Sequence, residues 1–221
     1  VRNPLGGLRG AAQLLEQELD KDSLKEYTQI IINEADRLQN LMNRMLTPSQ
    51  MPVYKKTNIH EILERVRSLI LSEFSTDITF IRDYDVSLPE FIMDREKLIQ
   101  AILNIARNGA QAMKLSNQDD MKLSFITRAE RQIVFRKKKH ATAIRIDIVD
   151  NGPGIKNELI DKIFFPLVTG NENGSGLGLS LAQNLISLHQ GMIDCHSVPG
   201  NTVFSIILPI ENNLMPTKEK K

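Results

Sequence analysis

The segment D-N-G-P-G-I, residues 150–155, carries the strongest signal for the architecture of this chain. It directly follows A-I-R-I-D-I-V-D, residues 143–150, whose alternation predicts a β-strand ending at Asp150. Gly152 and Gly154 leave the backbone beyond this strand without side chains, so a ligand can approach it closely. A carboxylate here can accept a hydrogen bond from an exocyclic amine. A plain turn is the alternative, because Asn-Gly and Pro-Gly are both turn formers.

A second glycine segment, N-G-S-G-L-G-L-S, covers residues 173–180. It places Gly174, Gly176 and Gly178 before a predicted helix, whose first amide hydrogens and positive dipole end would face the loop. This arrangement favours a phosphate site, although it is neither a Walker loop nor a dinucleotide fingerprint. A flexible connector is the alternative, and the position of the segment shortly after D-N-G-P-G favours the phosphate site.

A polar helical face is predicted in Q-A-I-L-N-I-A-R-N-G-A-Q-A-M, residues 100–113. Asn104, Asn108 and Gln111 fall at spacings of four and three, so they share one face. The opposite side carries Ile102, Ile105 and Ala106. Asparagine is a poor residue for a helix interior, which indicates that this face is used. A solvated polar face is the alternative, and it would be favoured if the two glycine segments were absent. Amide oxygens are suitable ligands for Mg²⁺.

The remaining pattern beyond residue 50 mixes helices and strands. Helices are expected from Asn58 to about residue 72, from Asp94 to about residue 113, near 156–162 and from about 178. Strands are expected at 78–84 and in a long hairpin whose basic turn, residues 136–140, contains His140; two further strands close the domain. This order predicts an α+β fold in which residues 50–212 form a two-layer α/β sandwich with a mixed sheet.

Residues 1–49 are predicted to form a helical hairpin. Leu24, Ile31, Leu38 and Met45 recur every seven residues, so the hairpin has an apolar stripe that needs a partner. A simple helical extension of the main domain is the alternative. Residues 47–56 contain two prolines and are predicted to be a linker, and the charged residues 213–221 are predicted to be a disordered tail.

Composition excludes several function classes. The formal charge is +1, so we expect no nucleic acid partner. The single cysteine, Cys195, fits a reducing compartment, and no run is long and apolar enough for a membrane span, so we expect a cytoplasmic location and no membrane contact in this fragment.

Taken together, the asparagine helix, D-N-G-P-G, F-F-P-L-V-T-G at residues 164–170 and the final glycine segment resemble, in this order, the ATP-binding domain of sensor histidine kinases in the GHKL ATPase superfamily. The amino-acid sequences of these motifs are most similar to those of the nitrogen-regulatory (NtrB-type) sensor kinases. The resemblance implies that Asp150 accepts from the adenine amino group above Gly152 and Gly154, and that Asn108 coordinates Mg²⁺ beside the phosphates of ATP. The further ATP-binding residues that it implies are Asn104, Arg107, Gln111, Phe165, Gly174, Gly176, Leu177 and Gly178.

The resemblance extends to the first residues. Histidine kinases of this type carry H-E-x-x-N-P on a dimerising hairpin, and V-R-N-P at residues 1–4 is similar to its second half. The phosphoacceptor histidine is therefore expected just upstream of Val1, and Asn3 is expected to orient the hydrolytic water when the regulator is dephosphorylated. The implied partners are a second copy of the chain, a response regulator receiver domain and a nitrogen-signal (PII-like) protein.

One departure and two rival interpretations remain. No Lys or Arg lies between Lys162 and the glycine segment, so Mg²⁺, backbone amides and Arg107 are expected to neutralise the phosphates. The rivals are another GHKL ATPase and a non-catalytic module that dimerises and binds a regulator. His60, followed by Glu61, imitates the phosphoacceptor dipeptide but is predicted to be a structural histidine.

Overall fold

The computed structural model describes residues 11–15, 25, 27–32, 52–74, 78–135, 138–170 and 176–210, with backbone alone for 135 and 138. The chain divides into two compact units, Val1–Gln50 and Met51–Lys221. In the first unit, residues 11–15 and 27–32 are helical, with Ile32 buried and Ile31 exposed. Leu24, Leu38 and Met45 of the predicted stripe and the predicted tail at 213–221 lie outside the described residues.

The second unit contains the predicted mixed sheet and the helices that cover it. In chain order its elements are β1 (Lys55–Thr57), α1 (Ile59–Phe74), β2 (Ile78–Asp83), β3 (Phe91–Met93), α2 (Arg95–Leu115), β4 (Met121–Phe135), β5 (Lys138–Asp150), α3 (Asn157–Ile160), α4 (Gly178–Leu188), β6 (Met192–Val198) and β7 (Asn201–Pro209). The main sheet has the order β2-β4-β5-β7-β6. Because β2 runs parallel to β4 and the other neighbours are antiparallel, the sheet is mixed.

One face of this sheet forms the core with the helices. Alternate residues of β4 and β5 are buried, among them Phe125 and Ile146. Helix α2 packs against both α1 and α4 and rests on β4 and β5. The described helices include none that is long and apolar enough to cross a membrane. This packing leaves one side of α2 directed away from the sheet.

Two predictions about local structure are wrong. Lys55 and Lys56, predicted in the linker at 47–56, form β1, which pairs with β3 in a separate two-stranded sheet that the pattern did not indicate. His140, predicted in a basic turn, lies on β5 opposite Ile133 and is 3% exposed. The β4–β5 hairpin continues further than the sequence suggested.

The helix caps agree with prediction. The Asn58 side chain accepts from the backbone N–H of His60, and the Asp94 side chain accepts from the backbone N–H of Lys97. His60 is a structural residue, because its Nε2 lies 3.1 Å from the hydroxyl of the fully buried Thr127. The same hydroxyl accepts from the backbone N–H of Asp85.

His189 joins the end of α4 to the start of α2. Its Nδ1–H donates to the Leu185 carbonyl at 2.9 Å, so its Nε2 is free to accept from the backbone N–H of Asp94 at 3.0 Å. Burial lowers the pKa of this imidazole, which keeps it neutral in the arrangement that both hydrogen bonds require.

Candidate functional site

Asp150 is the last residue of β5, where the strand meets the glycine loop. Its side chain is 5% exposed, and its Oδ1 accepts from the backbone N–H of Gly152 at 3.0 Å. Within the described residues, Oδ2 has no hydrogen-bond partner. Burial raises the pKa of this carboxyl, and the Gly152 N–H opposes part of that rise. The site therefore holds a carboxylate with one oxygen fixed and the other available to a donor.

Two glycines make room for this carboxylate. A Cβ on Gly109 would lie 2.8 Å from Asp150 Oδ2, and a Cβ on Gly152 would lie 2.8 Å from Oδ1. Gly109 sits in the middle of α2, where glycine costs about 1 kcal/mol relative to alanine. The close approach of Asp150 to the α2 backbone explains why glycine occupies this helical position.

The loop after Asp150 is attached to the turn between β6 and β7. Gly154 has φ +82°, and a Cβ there would lie 2.9 Å from the backbone nitrogen of Pro199. The Gly152 carbonyl accepts from the N–H of Gly200 at 2.8 Å, and the N–H of Ile155 donates to the Ser197 hydroxyl at 2.9 Å. The loop that the sequence identified is thus held in one conformation by residues more than forty positions later in the chain.

The predicted polar face of α2 is present. Asn104 and Asn108 are half-buried and Gln111 is exposed, whereas Ile102, Ile105 and Ala106 are buried in the core. Neither asparagine side chain has a hydrogen-bond partner within the described part of the chain. Amide groups at the edge of a core are usually hydrogen-bonded, so these two are available to a ligand.

Helix α4 begins against this polar face. A Cβ on Gly178 would lie 3.9 Å from both amide atoms of Asn108 and 4.0 Å from the Cβ of Asn104. Leu177 precedes α4 and makes no side-chain cap, so among the described residues no side chain occupies the first backbone N–H groups of the helix, which can donate to a ligand. The positive end of an eleven-residue helix therefore faces the two asparagines.

The segment before α4 closes on itself at Leu167 and Gly176. The Leu167 N–H donates to the Gly176 carbonyl at 2.9 Å, and both residues have positive φ, +68° and +63°. A Cβ on Gly176 would lie 2.5 Å from the Leu167 carbonyl carbon, so only glycine fits there. Phe165 and Leu167 are 60% and 58% exposed. The motif F-F-P-L-V-T-G at residues 164–170 therefore presents two apolar side chains to solvent.

Three predicted site residues stand apart from this arrangement. Asn3 and Gly174 lie outside the described residues. Arg107 forms an ion pair with Glu73 of α1, with Nη2 at 2.7 Å and Nε at 2.9 Å from the same Oε2.

A cavity of about 370 Å³ lies beside β1 and the start of α2. Its lining includes Lys55, Glu61 and Asp94 and none of the predicted site residues.

Sequence reasoning missed two residues that hold the site together. Asn151 was interpreted only as part of a turn, and Gln118 was not considered, yet both tie the loop to the start of β4. The position of Asn151 directly after Asp150 was the available signal. Nothing in the sequence around Gln118 indicates its contact.

Two protein-family models match this chain. The family model described as "Histidine kinase-, DNA gyrase B-, and HSP90-like ATPase" matches residues 93–212, and the model "His Kinase A (phospho-acceptor) domain" matches residues 1–52. The chain is 51% identical over 210 residues to the sensory histidine kinase/phosphatase NtrB of Vibrio alginolyticus and 46% identical over 210 residues to NtrB of Salmonella typhimurium. Each alignment covers 95% of this chain and 59% of the relative, so the chain spans about three-fifths of the length of these proteins.

Two solved structures share the fold. Histidine kinase ThkA in complex with response regulator protein TrrA matches 97% of this chain and 60% of that chain at 24% identity, with a TM-score of 0.63. Full-length ShkA in complex with AMPPNP matches 94% of this chain and 43% of that chain at 22% identity, with a TM-score of 0.61. The two structures show the same fold, and the sequence matches confirm the resemblance to sensor histidine kinases. The chain belongs to the family of histidine kinase-, DNA gyrase B- and HSP90-like ATPases.

Proposed function

We propose that this chain is the catalytic part of a nitrogen-regulatory sensor histidine kinase with regulator phosphatase activity. In this function ATP donates its γ-phosphoryl group to a histidine, the group passes to an aspartate on a response regulator, and the same protein hydrolyses the phosphorylated regulator. The identity of 46–51% to NtrB proteins supports this assignment. The observation that carries it is the buried Asp150 carboxylate, which has one oxygen fixed by Gly152 and the other free above Gly109.

The adenine end of the proposed site is Asp150 with its glycine floor. An adenine amino group donates hydrogen bonds, and the free Oδ2 is an acceptor in a mostly desolvated place, where a charge-assisted bond is strong. The base is expected above Gly152 and Gly154, whose lack of side chains lets Asp150 and the backbone at Pro199 approach the loop closely. The exposed Phe165 belongs to the segment that would cover the nucleotide.

The phosphate end is the junction between α2 and α4. The open N–H groups of α4, together with the backbone at Gly176, Leu177 and Gly178, supply donors for phosphate oxygens. Asn104 would contact the phosphates from α2, and Gln111 would lie on the same face. Because Arg107 is paired with Glu73, the backbone and a cation would neutralise most of the phosphate charge.

The residues present fit Mg²⁺ at Asn108. Its amide is half-buried, has no hydrogen bond among the described residues and faces the start of α4, and Mg²⁺ takes few protein ligands alongside nucleotide phosphates. When bound, Mg²⁺ would neutralise phosphate charge and orient the γ-phosphoryl group. The amide oxygen of Asn108 would fix the position of that cation relative to α2.

The predicted hairpin at residues 1–49 would supply the acceptor and dimerisation functions. The acceptor histidine is expected four positions before Asn3, and Asn3 would orient the hydrolytic water. Exposed apolar side chains in the helical residues, among them Tyr27 and Ile30, support a homodimer through this segment. The proposed partners are a response regulator receiver domain and a PII-like nitrogen-signal protein. The dependence on ATP and the unpaired Cys195 support work in the cytoplasm.

Calorimetric titration with ATP and ADP, with and without Mg²⁺, tests the nucleotide site. We expect the chain to bind both nucleotides, and Mg²⁺ to tighten binding. Asn108→Ala should remove the effect of Mg²⁺ and preserve binding without the metal, whereas the exposed control Asn157→Ala should resemble the original chain. A folded chain that binds no nucleotide would support the non-catalytic module instead.

Phosphoryl transfer is tested on a chain extended upstream with the expected His-Glu dipeptide. We expect acid-labile label from γ-labelled ATP, and its loss in Asn108→Ala. Asn3→Ala should slow dephosphorylation of the regulator while leaving nucleotide affinity unchanged. Hydrolysis of ATP with no label on the protein would favour another GHKL ATPase.

A further inference from the structure

At Asn151, one position beyond the paired residues of β4 and β5, the side-chain amide oxygen takes the place of the backbone carbonyl. Its N–H donates to the Lys122 carbonyl at 3.3 Å, as in a regular ladder one residue beyond the Leu123–Asp150 pair. The Lys122 N–H, however, donates to Asn151 Oδ1 at 2.8 Å, so the side-chain amide takes the place of the backbone carbonyl. The backbone can therefore leave the sheet immediately after Asp150.

The groups that this exchange releases are used in a second set of contacts. Asn151 Nδ2 donates to the Asp120 carbonyl at 2.8 Å. The freed Asn151 carbonyl accepts from Gln118 Nε2 at 3.0 Å, and the same nitrogen donates to the Asp120 carbonyl at 3.1 Å. All four polar groups of Asn151 are thus engaged with residues 118–122, which include the end of the connection from α2 to β4 and the start of β4.

These contacts fix the relative positions of the two halves of the site. Gln118 is tied to the end of α2 by its own N–H, which donates to the Met113 carbonyl at 3.3 Å. Helix α2 carries Gly109, against which Asp150 packs, and Asn108 one residue before it. A shift of Asn151 would therefore move the Asp150 carboxylate relative to the helix that bounds it.

We infer that Asn151 and Gln118 form a clamp that positions the Asp150 carboxylate, and that this clamp sets how strongly the site recognises the 6-amino group of adenine. Neither residue needs to touch the nucleotide, so both are positioning residues. The inference rests on the proposed function, because it assumes that adenine binds at Asp150. A displacement of about 1 Å at such a site can cost up to about 100-fold, so a clamp of this kind has a measurable effect.

Asn151→Asp is the sharpest perturbation. It keeps the oxygen that accepts from Lys122 but removes the donor to the Asp120 carbonyl, and it adds a negative charge beside Asp120, whose carboxylate already pairs with Lys122 Nζ at 2.6 Å. The loop end should move away from the α2–β4 connection. The packing of the core helices is not involved, so the chain should still fold.

The test compares two probes, ADP and purine riboside 5′-diphosphate, which lacks the 6-amino group. The original chain should bind ADP at least about tenfold more tightly than the second probe. This ratio corresponds to the free energy of one hydrogen bond to a charged group. Asn151→Asp should weaken ADP binding about tenfold and the second probe no more than about twofold. The exposed Asn157→Asp adds the same charge elsewhere and should leave the ratio of the two affinities unchanged.

The ratio separates positioning from general damage, because partial unfolding or added charge weakens both probes equally. Gln118→Ala should also lower the ratio, and to a smaller extent, because it removes only one arm of the clamp. The inference alone is overturned if Asp150→Asn abolishes the preference for ADP while both clamp variants preserve it. If the original chain binds neither probe, or Asp150→Asn keeps the full preference, the proposed nucleotide site fails and the inference fails with it.

Discussion

Replacing Asp150 by asparagine should weaken ADP binding by about 10- to 150-fold without lowering the stability of the fold, since one buried hydrogen bond to a charged group contributes about 1.5–3 kcal/mol. The carboxylate offers two acceptor oxygens, one on Gly152 and one free for the adenine amine. An asparagine offers one acceptor and one donor. If its oxygen stays on the Gly152 N–H, its NH₂ group meets the adenine NH₂ group, donor against donor. If it turns over, the Gly152 N–H loses its partner instead.

Although Asp150→Asn should weaken ADP binding, it should not lower the free energy of unfolding. Burial raises the folded-state pKa of Asp150 above its unfolded value, so the contribution of this group to stability is complete below the unfolded pKa. That contribution is lost as the pH rises through the raised pKa, and at pH 7 the ionised carboxylate opposes folding. An amide carries no such charge. The free energy of unfolding of Asp150→Asn at pH 7 should therefore equal or exceed that of the original chain.

The assay combines calorimetric titration with ADP and urea unfolding at pH 7. Asp194→Asn is the matched control, because Asp194 is exposed on the edge strand β6 and the chemical change is the same. The control should alter neither quantity. Unchanged ADP affinity in Asp150→Asn, or an affinity loss accompanied by an equal loss of stability, would refute the reasoning.

Three further predictions concern the fold and the packing around the site. Thr127→Val should lower the free energy of unfolding by about 2 kcal/mol or more, because the His60 ring and the backbone N–H of Asp85 lose the hydroxyl that they share. In the same urea titration the control Thr79→Val, at an exposed strand position, should change the free energy of unfolding little. Burial lowers the pKa of His189, so its contribution to stability is complete above the unfolded pKa and is lost as the pH falls. Urea unfolding at about pH 7.5 and about pH 5.5 should therefore show that the free energy of unfolding falls more steeply for the original chain than for His189→Gln. The difference should be at most about 1.4 kcal/mol per pH unit. Gly109→Ala gains about 1 kcal/mol of helix propensity against an overpacking cost of about 1–3 kcal/mol, so the free energy of unfolding should fall by at most about 2 kcal/mol. Because the new Cβ would displace Asp150, calorimetry should show ADP binding weakened about tenfold. An affinity equal to that of the original chain would contradict the last of these.

Local patterns predicted the parts of the site that depend on near neighbours in the chain. The asparagines of α2 were found because residues three and four apart share a helical face. The Asp150 loop was found because alternation marks a strand and glycine marks its departure from the sheet. The mixed sheet and the order of helices around it followed from the same periodicities, with Asn58 and Asp94 as helix caps.

Contacts between distant segments could not be predicted in this way. Strands β1 and β3 are each three residues long, too short for a periodic signal, and they exist because their segments pair with one another. The pairing of Arg107 with Glu73 joins two helices whose approach only packing determines. Lys138–His140 extend β5 because they pair with Ile133–Phe135 of β4, although their basic composition indicated a turn.

The sequence by itself determined the identity of the groups in the candidate site: a carboxylate at a strand end, amides on one helical face and glycines before a helix. Only the tertiary structure decided how these groups meet. It brought Asp150 against Gly109, Asn108 against Gly178 and Asn151 against residues 118–122. The physical reason is that hydrogen-bonding periodicity acts over a few residues, whereas the distance between two such groups depends on how the sheet, α2 and α4 pack together.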